Sequence, residues 1–309
     1  MKESFKNILV PIDGSLQSRI SQEMAAFIGR LFRSQITLMH VVQNELLTLG
    51  QTYTLRENYV PISTSTGQFP RTLNLPKTRE NIFPEEVIRE VTEQYRETGI
   101  AILEKSTSLF AKEGIIVKEK LVEGTDVAET IIAEAITGNY DLLIIGNSGE
   151  QNGLDLHLGS IAHKVALNVK SSIMIVRKKR EVRKILIPVD GSEKDEKALH
   201  KASMVAKAAE SKIVLLHVQE TSILKLKPEV KEIGIQILKH ASKMIEGMQF
   251  EQKLVSGDPA NVIIQTAEEA DVDLIVMSSG RIGTLSEVFL GSVSDHVLHH
   301  ATVPVLLVK

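Results

Sequence analysis

Two short stretches of the 309-residue sequence carry residues that could bind a phosphate and a sugar. The first, Pro11-Ile-Asp-Gly-Ser15, follows an apolar run and presents the carboxylate of Asp13. The second, Gly146-Asn-Ser-Gly149, is followed after nine residues by Gly159-Ser160, where a helix is predicted to begin. Glycines let the backbone approach a ligand closely, and a helix N-terminus offers unpaired N–H groups with a partial positive charge. The spacing Gly-x2-Gly-x9-Gly-Ser therefore favours an anion-binding loop over a set of tight turns with Ser160 as a helix cap.

Asp13 and its counterpart Asp190 leave two interpretations open. A lone carboxylate after a strand orients a ribose or caps a turn more often than it acts as a catalytic acid or a Mg²⁺ ligand. No second carboxylate has the spacing that paired acid–base work requires. The sequence therefore predicts no catalytic residue.

The histidines give no metal signature. His40 and His217 lie in apolar strands, where a hydrogen-bonded structural histidine is expected. His296, His299 and His300 share a predicted helix, but the Glu and the third ligand of a zinc enzyme are missing. No metal site is predicted.

The elements that must position these residues are duplicated. Asn7-Ile-Leu-Val-Pro-Ile-Asp-Gly-Ser15 recurs as Lys184-Ile-Leu-Ile-Pro-Val-Asp-Gly-Ser192, and Leu-Met-His-Val at His40 recurs at His217, each pair 177 residues apart. Further along, Gly159-Ser160 and Gly291-Ser292 are 132 residues apart. The chain is thus two copies of one unit, predicted as domains 1–180 and 181–309, and the first copy carries about 45 extra residues. A proline-rich excursion at 44–84 accounts for them, and it is interpreted as a surface loop, a lid or a dimer arm.

Each copy alternates strand and helix patterns. In the first copy, strands are predicted at 8–12, 35–42, 115–122, 141–145 and 172–177, with helices at 16–33, 85–112, 126–137 and 158–169 between them. In the second copy, strands are predicted near 184–189, 212–218, 250–255, 273–277 and 304–308. Such alternation predicts an α/β fold, because right-handed crossovers lay helices on both faces of a parallel sheet. Ligands of such sheets bind beyond the carboxyl ends of the strands, where both glycine-containing stretches lie.

Composition excludes several classes of protein. With 36 Lys and Arg against 39 Asp and Glu, the net charge of −3 argues against nucleic acid and acidic membranes as partners. The absence of cysteine excludes disulfides and thiolate sites, and no apolar stretch is long enough for a membrane span. A cytoplasmic location is the expectation. The phosphate-binding motifs Gly-x4-Gly-Lys-Ser/Thr and Gly-x-Gly-x2-Gly after a strand are also missing, which removes the main support for P-loop hydrolysis and dinucleotide-dependent oxidoreduction.

Taken together, Ile-Leu-Val-Pro-Ile-Asp-Gly-Ser, Leu-Met-His-Val and Gly-x2-Gly-x9-Gly-Ser resemble the universal stress protein family. The resemblance covers both copies and nearly the whole chain apart from 44–84. It implies tandem doubly wound five-stranded parallel sheets, each with strand order 3-2-1-4-5 and flanking helices. It also implies that ATP, or ADP or AMP, binds with Mg²⁺ or Mn²⁺ as the accompanying cation.

The resemblance also implies the residues of the nucleotide site. Asp13, in the Pro11 motif, would meet ribose and adenine, and the backbone of Val41 would meet adenine. The remaining nucleotide-binding residues implied for ribose and phosphates are Gly146, Gly149, Gly159, Ser160 and Ile161.

The second copy departs from the motif. Ser278 and Arg281 replace its first two glycines, whereas Gly291 and Ser292 remain. A weaker or absent second site is therefore expected at Asp190, Val218, Gly291 and Ser292.

Three functional hypotheses follow. The first is a nucleotide-binding protein with a regulatory or stress-response role. The second is a slow ATPase or self-phosphorylating enzyme, and the third is a scaffolding module that holds no nucleotide. Because single-domain relatives pair through their last strands, the resemblance further implies an internal pseudo-dimer of the two copies, with a homodimer of chains left open.

Overall fold

The computed structural model describes residues 5–43, 85–148, 158–178, 181–220, 228–280 and 290–309. The 44–84 excursion, Gly149 and Arg281 lie outside the described residues. The elements of the first half are β1 (Asn7–Pro11), α1 (Leu16–Phe32), β2 (Gln35–Gln43), α2 (Glu85–Lys112), β3 (Val117–Gly124), α3 (Val127–Thr137), β4 (Leu142–Gly146), α4 (Ser160–Asn168) and β5 (Ser172–Val176).

The second half repeats the same order of strands and helices. Its elements are β6 (Lys184–Pro188), α5 (Lys194–Ala209), β7 (Lys212–Glu220), α6 (Pro228–Met244), β8 (Phe250–Gly257), α7 (Pro259–Glu269), β9 (Leu274–Ser278), α8 (Ser292–His300) and β10 (Val305–Val308). The predicted doubly wound α/β fold is confirmed, and the predicted elements agree with these bounds to within a few residues.

Within each half the five strands are parallel. Their order is β3-β2-β1-β4-β5 in the first half and β8-β7-β6-β9-β10 in the second. The central strands are short apolar runs because helices cover both of their faces. Every residue of β4 and of β5 is buried.

The two halves join at their last strands. β10 pairs antiparallel with β5, with Val305 opposite Ile175 and Leu307 opposite Ile173, so one ten-stranded sheet runs through the chain. Pairing of this kind hydrogen-bonds two edges that would otherwise be open to other strands.

Two side chains cross the junction in a reciprocal way. Arg177, just after β5, donates to the main-chain carbonyl of Leu298 in α8. Lys309, just after β10, donates to the carbonyl of Ala166 in α4 over 2.8 Å. Arg177 and Lys309 are repeat-equivalent, as are Ala166 and Leu298. The same contact is therefore made twice, as a two-fold relation between the halves requires.

Two hydrophobic layers hold the helices to the sheet. One face buries Ile8, Val10 and Leu38 beneath α1, and the other buries Leu9, Leu143 and Ile175 beneath α3 and α4. The strands are thereby fixed, and their carboxyl ends, with the loops that follow them, form a common edge. Among the described helices, none is both long and apolar enough to cross a membrane.

Candidate functional site

The candidate site lies at the carboxyl ends of β2, β1 and β4, which are neighbours in that order. The turn after β1, the last residues of β2 and the N-terminus of α4 meet this edge. The structure thus brings the described sequence-predicted residues of the first half to one side of the sheet. Gly149 lies outside the described residues.

Asp13 occupies a tight turn between β1 and α1. Its carboxylate accepts a hydrogen bond from the Ser15 main-chain N–H at 2.9 Å, and its own N–H donates to the Ser18 hydroxyl at 3.3 Å. Gly14 has φ +83°, a conformation that glycine adopts without strain. The turn is capped locally, and the Asp13 side chain is exposed at this edge of the sheet.

Pro11 is the last residue of β1 and is buried. Its missing N–H marks the point where strand pairing gives way to the turn. One residue later the Ile12 N–H donates to the Met39 carbonyl at 2.8 Å. Among the described strands, none lies beside β2 on that side beyond this bond.

Val41 lies two residues after Met39 on that side of β2. Because alternate residues of a parallel strand direct their N–H and C=O groups to the same neighbour, the backbone of Val41 faces the space beyond the end of β1. The Val41 side chain is half-buried and packs against the apolar layer on one face of the sheet. A planar base at this edge could therefore pair with a main-chain donor and acceptor.

The N-terminus of α4 supplies a second set of donors. Gly159 is the N-cap residue in extended conformation and makes no side-chain cap. The first helical bond runs from the His163 N–H to the Gly159 carbonyl at 2.9 Å, so the N–H groups of Ser160 and Ile161 have no partner within the helix. Both residues are exposed. A phosphate is the kind of group such a helix end binds.

Gly159 also holds the end of β4 against the helix. Its N–H donates to the Asn147 carbonyl at 2.6 Å, and a Cβ at Gly159 would lie 3.1 Å from that same oxygen. A side chain here would push the strand end and the helix N-terminus apart. Gly159 thus favours this close approach, because any other residue would require a shift of a few tenths of an ångström.

Gly146 has a packing role that the sequence did not reveal. A Cβ at this position would lie 2.9 Å from the main-chain carbon and oxygen of Gln17 in the first turn of α1. The absent side chain lets α1 rest directly on the end of β4. Contact of Gly146 with a ligand stays a prediction.

A group of buried polar residues on α1 escaped the sequence analysis. Gln17, Ser18 and Gln22 are 7%, 5% and 4% exposed. The Gln22 amide donates to the Ser18 hydroxyl at 3.3 Å. The signal was present, because these residues share a helical face with Ala25 and Ile28, which are buried.

Each half places a histidine beneath the turn. The Nδ1 atom of His40 bonds the Ile12 carbonyl at 2.8 Å, and His217 bonds the Val189 carbonyl at 2.8 Å. A Cβ at Gly99 would strike the His40 ring at 2.7 Å, so α2 presses on it closely. The prediction of hydrogen-bonded structural histidines is confirmed, although both are half-buried.

The second half repeats the frame with altered residues. Asp190 is exposed and accepts from the Ser192 N–H at 2.8 Å, as Asp13 does in the first half. Val218 is half-buried, and by the alternation described for β2 its backbone faces the end of β6. Gly291 caps α8 without a side-chain bond and Ser292 is exposed. The candidate residues therefore keep their places.

The difference lies in the first turn of α5. Asp195 replaces Ser18 and accepts from the N–H groups of Asp190 and Gly191 at 2.9 and 2.8 Å. Burial, with the nearby charge of Asp190 second, raises the pKa of Asp195 to about 6. Ser278, with a side chain, replaces Gly146. The helix N-cap also moves from the Ser15 position to Glu193, one residue later than its equivalent Ser192, and makes no side-chain bond.

The chain is a duplicated α/β protein. Each of its two doubly wound halves has a carboxylate and a helix N-terminus at the same strand edge. The universal stress protein family model matches residues 76–177 and 181–309. The chain belongs to the universal stress protein family. The turn that carries Asp13 precedes the first match and is tied to the family pattern by its repeat at Asp190.

Known relatives match either one copy or the whole chain. A universal stress protein of Bacillus subtilis, YxiE, is 34% identical over an alignment 145 residues long. The alignment covers 41% of this chain and 98% of the relative. Slr1230 of Synechocystis is 21% identical over 308 residues, covering 97% of this chain and 99% of that protein. A universal stress protein structure from Archaeoglobus fulgidus covers 100% of this chain and 98% of its own, with 21% identity and a TM-score of 0.67, and it shows the same fold.

Solved structures also include universal stress proteins in complex with cAMP and with dAMP. Each aligns with 42% of this chain, at TM-scores of 0.37 and 0.36.

Proposed function

We propose that the first half binds an adenine nucleotide and that the bound nucleotide serves a regulatory, stress-related role. ATP is the favoured ligand, with ADP and AMP as the shorter alternatives and Mg²⁺ or Mn²⁺ as the accompanying cation. The observation that carries the proposal is the meeting of three complementary features at one edge: the Asp13 carboxylate, the Val41 backbone and the uncapped N-terminus of α4.

Each feature suits one part of the ligand. A carboxylate pairs with the hydroxyls of a ribose, and a main-chain N–H and C=O pair with the edge of adenine. The N–H groups at Ser160 and Ile161, reinforced by the helix dipole, suit the phosphates. The proposed site also includes Gly146 and Gly149. The missing side chain of Gly146 keeps α1 close to the end of β4.

The second half is proposed as the weaker site. Ser278 adds a side chain where the first half has none, and Asp195 places a second carboxylate beneath Asp190. At neutral pH two carboxylates add negative charge where a nucleotide brings more. The proposed weaker site retains the residues at the corresponding positions, which are Asp190, Val218, Gly291 and Ser292.

A regulatory role is favoured over catalysis because no described carboxylate or imidazole hydrogen-bonds Ser160. A slow ATPase or self-phosphorylating activity is the second candidate. Turnover of labelled ATP that Gly149→Val abolishes would establish it, and nucleotide-free protein in a native mass spectrum would favour the scaffolding alternative.

The chain is also proposed to form an internal pseudo-dimer. The β5–β10 pairing and the reciprocal contacts of Arg177 and Lys309 support this assembly. Pairing of two chains into a homodimer stays open. Solution scattering that shows two separate units on a flexible tether would refute the internal contact.

The decisive experiment compares Asp13→Ala with Asp190→Ala by calorimetric titration of ATP, ADP and AMP. Each substitution removes one equivalent turn hydrogen bond, to the Ser15 or the Ser192 N–H, and Asp190→Ala in addition removes the charge beside Asp195. A charged hydrogen bond is worth about 1.5–3 kcal/mol, so Asp13→Ala should weaken binding about 10- to 150-fold. Asp190→Ala should leave the dominant site unchanged.

One nucleotide per chain is the expected stoichiometry. Two equivalent sites, or loss of binding in Asp190→Ala alone, would contradict the assignment to the first half. Absence of heat with all three nucleotides would refute the proposed function itself.

A further inference from the structure

A cluster of imidazole and carboxylate groups spans the two halves. His163 lies on α4 of the first half, and Asp295 and His299 lie on α8 of the second. The Nε2 atom of His163 is 2.9 Å from Oδ1 of Asp295, and Nδ1 of His299 is 3.7 Å from the same oxygen. One potential ligand atom from each residue lies within 4.8 Å of the others.

We propose that His163, Asp295 and His299 form a site for a borderline divalent cation of the Zn²⁺ class, which ties the two halves together. Imidazole nitrogen and carboxylate oxygen are the ligands such ions take, at about 2.0–2.2 Å. Ligand atoms around a tetrahedral ion of that size are about 3.3 Å apart. The two separations from Oδ1 of Asp295, 2.9 and 3.7 Å, lie on either side of this value, and all three ligand atoms lie within 4.8 Å of one another.

The positions of these residues are a consequence of the duplication. His163 and Asp295 are repeat-equivalent, each one turn into its helix, where its N–H donates to the cap glycine carbonyl at 2.9 Å. A two-fold relation brings equivalent residues face to face, so that a base on one half meets an acid on the other. His299 follows Asp295 by one helical turn and therefore lies on the same face.

The cluster is open enough to load an ion. The side chains of His163, Asp295 and His299 are 32%, 40% and 30% exposed. Three protein ligands leave a fourth position for water from the solvent side. The His163 and His299 rings meet edge to face with centroids 4.7 Å apart, so both imidazoles already converge on the carboxylate.

Binding replaces protons that now occupy the cluster. A carboxylate only accepts, so His163 Nε2 carries the hydrogen of its bond to Asp295. His299 Nδ1 likewise donates to the Asp295 main-chain carbonyl at 2.9 Å. Each ligating nitrogen must give up its hydrogen while the other ring nitrogen takes one up, so that a neutral imidazole offers its lone pair to the ion.

The site differs in kind from the cation of the proposed nucleotide site. Mg²⁺ prefers oxygen ligands, whereas two imidazoles favour Zn²⁺, Ni²⁺, Cu²⁺ or Co²⁺. The metal site can therefore be tested without nucleotide, and its failure would leave the nucleotide proposal untouched.

The test titrates tag-free full-length chain with Zn²⁺ by calorimetry and with Co²⁺ by visible absorption. One ion per chain is expected, with the absorption of a four-coordinate Co²⁺ site. Loss of an outer-shell partner costs about 10- to 100-fold in affinity, so His163→Gln and His299→Gln should each cost at least about ten-fold.

The controls are His200→Gln, at an exposed position of α5, and His300→Gln, beside the cluster. The His300 ring stacks on His296 at 4.1 Å, and this pair is the competing site within α8. Both controls should bind as the unchanged chain does. Equal binding by His163→Gln, loss of binding in His300→Gln, or no saturable binding of either ion would overturn the proposal and leave His163–Asp295 as a hydrogen-bonded pair only.

Discussion

The buried carboxylate of Asp195 predicts an unusual pH dependence of stability. Asp195 is 7% exposed, and its pKa rises from 3.8 in the unfolded chain to about 6 in the folded protein. The folded state therefore binds the Asp195 proton more tightly than the unfolded state does. This contribution to stability is fully present below about pH 4 and is lost as the pH rises through about 6.

The magnitude follows from the size of the shift. Each pKa unit corresponds to about 1.36 kcal/mol, so a change of about two units gives about 3 kcal/mol between pH 4 and pH 8. Asp195→Asn keeps an oxygen that can accept from the Asp190 and Gly191 N–H groups but removes the ionisation. Relative to the unchanged chain, the variant should gain about 3 kcal/mol as the pH rises across this range.

Urea unfolding at several pH values measures this difference. Other acidic groups titrate in both proteins, so subtracting the two free energies of unfolding isolates Asp195. The second-largest cause of the shift, the charge of Asp190, provides a graded control: Asp190→Asn should flatten the dependence in part. Ser18→Asp should introduce a dependence of the same sign in the first half. Parallel curves for the unchanged chain and Asp195→Asn would refute the reasoning.

Two further predictions concern packing and the junction between the halves. Gly146→Ala should lower the free energy of unfolding by about 1–3 kcal/mol, because its Cβ would lie 2.9 Å from the Gln17 backbone, and an unchanged Tm would contradict this. Arg177→Met should cost about 1–3 kcal/mol by leaving the Leu298 carbonyl without its donor, measured by urea unfolding against Lys170→Met as an exposed control. Equal loss in both variants would contradict a specific contact across the junction.

Much of the fold was predictable because its signals are local. Short apolar runs such as Ile8–Val10 become central strands, since helices cover both faces and every residue is buried. Because the motifs of the first half recur, the strands and helices of the second half could be predicted from those of the first. The positions of Asp13, Val41 and Gly159 at one edge also followed, because parallel strands all end on the same side.

What the structure added depends on contacts between distant segments. The sequence showed Gly146 as a glycine in a motif, but only packing shows the Gln17 backbone against it. α1 packs against β4 and β5, and its buried residues include the polar Gln17, Ser18 and Gln22, which the sequence analysis did not single out.

By itself, the sequence determined two copies of a doubly wound sheet and the strand ends at which a ligand would bind, since hydrophobic periodicity and turn chemistry act over a few residues. Only the tertiary structure decided which residues meet across the copies. His163 and Asp295 are 132 residues apart in the chain and 2.9 Å apart in space. That proximity arises because β5 pairs with β10 and brings α4 against α8, and no local pattern records it.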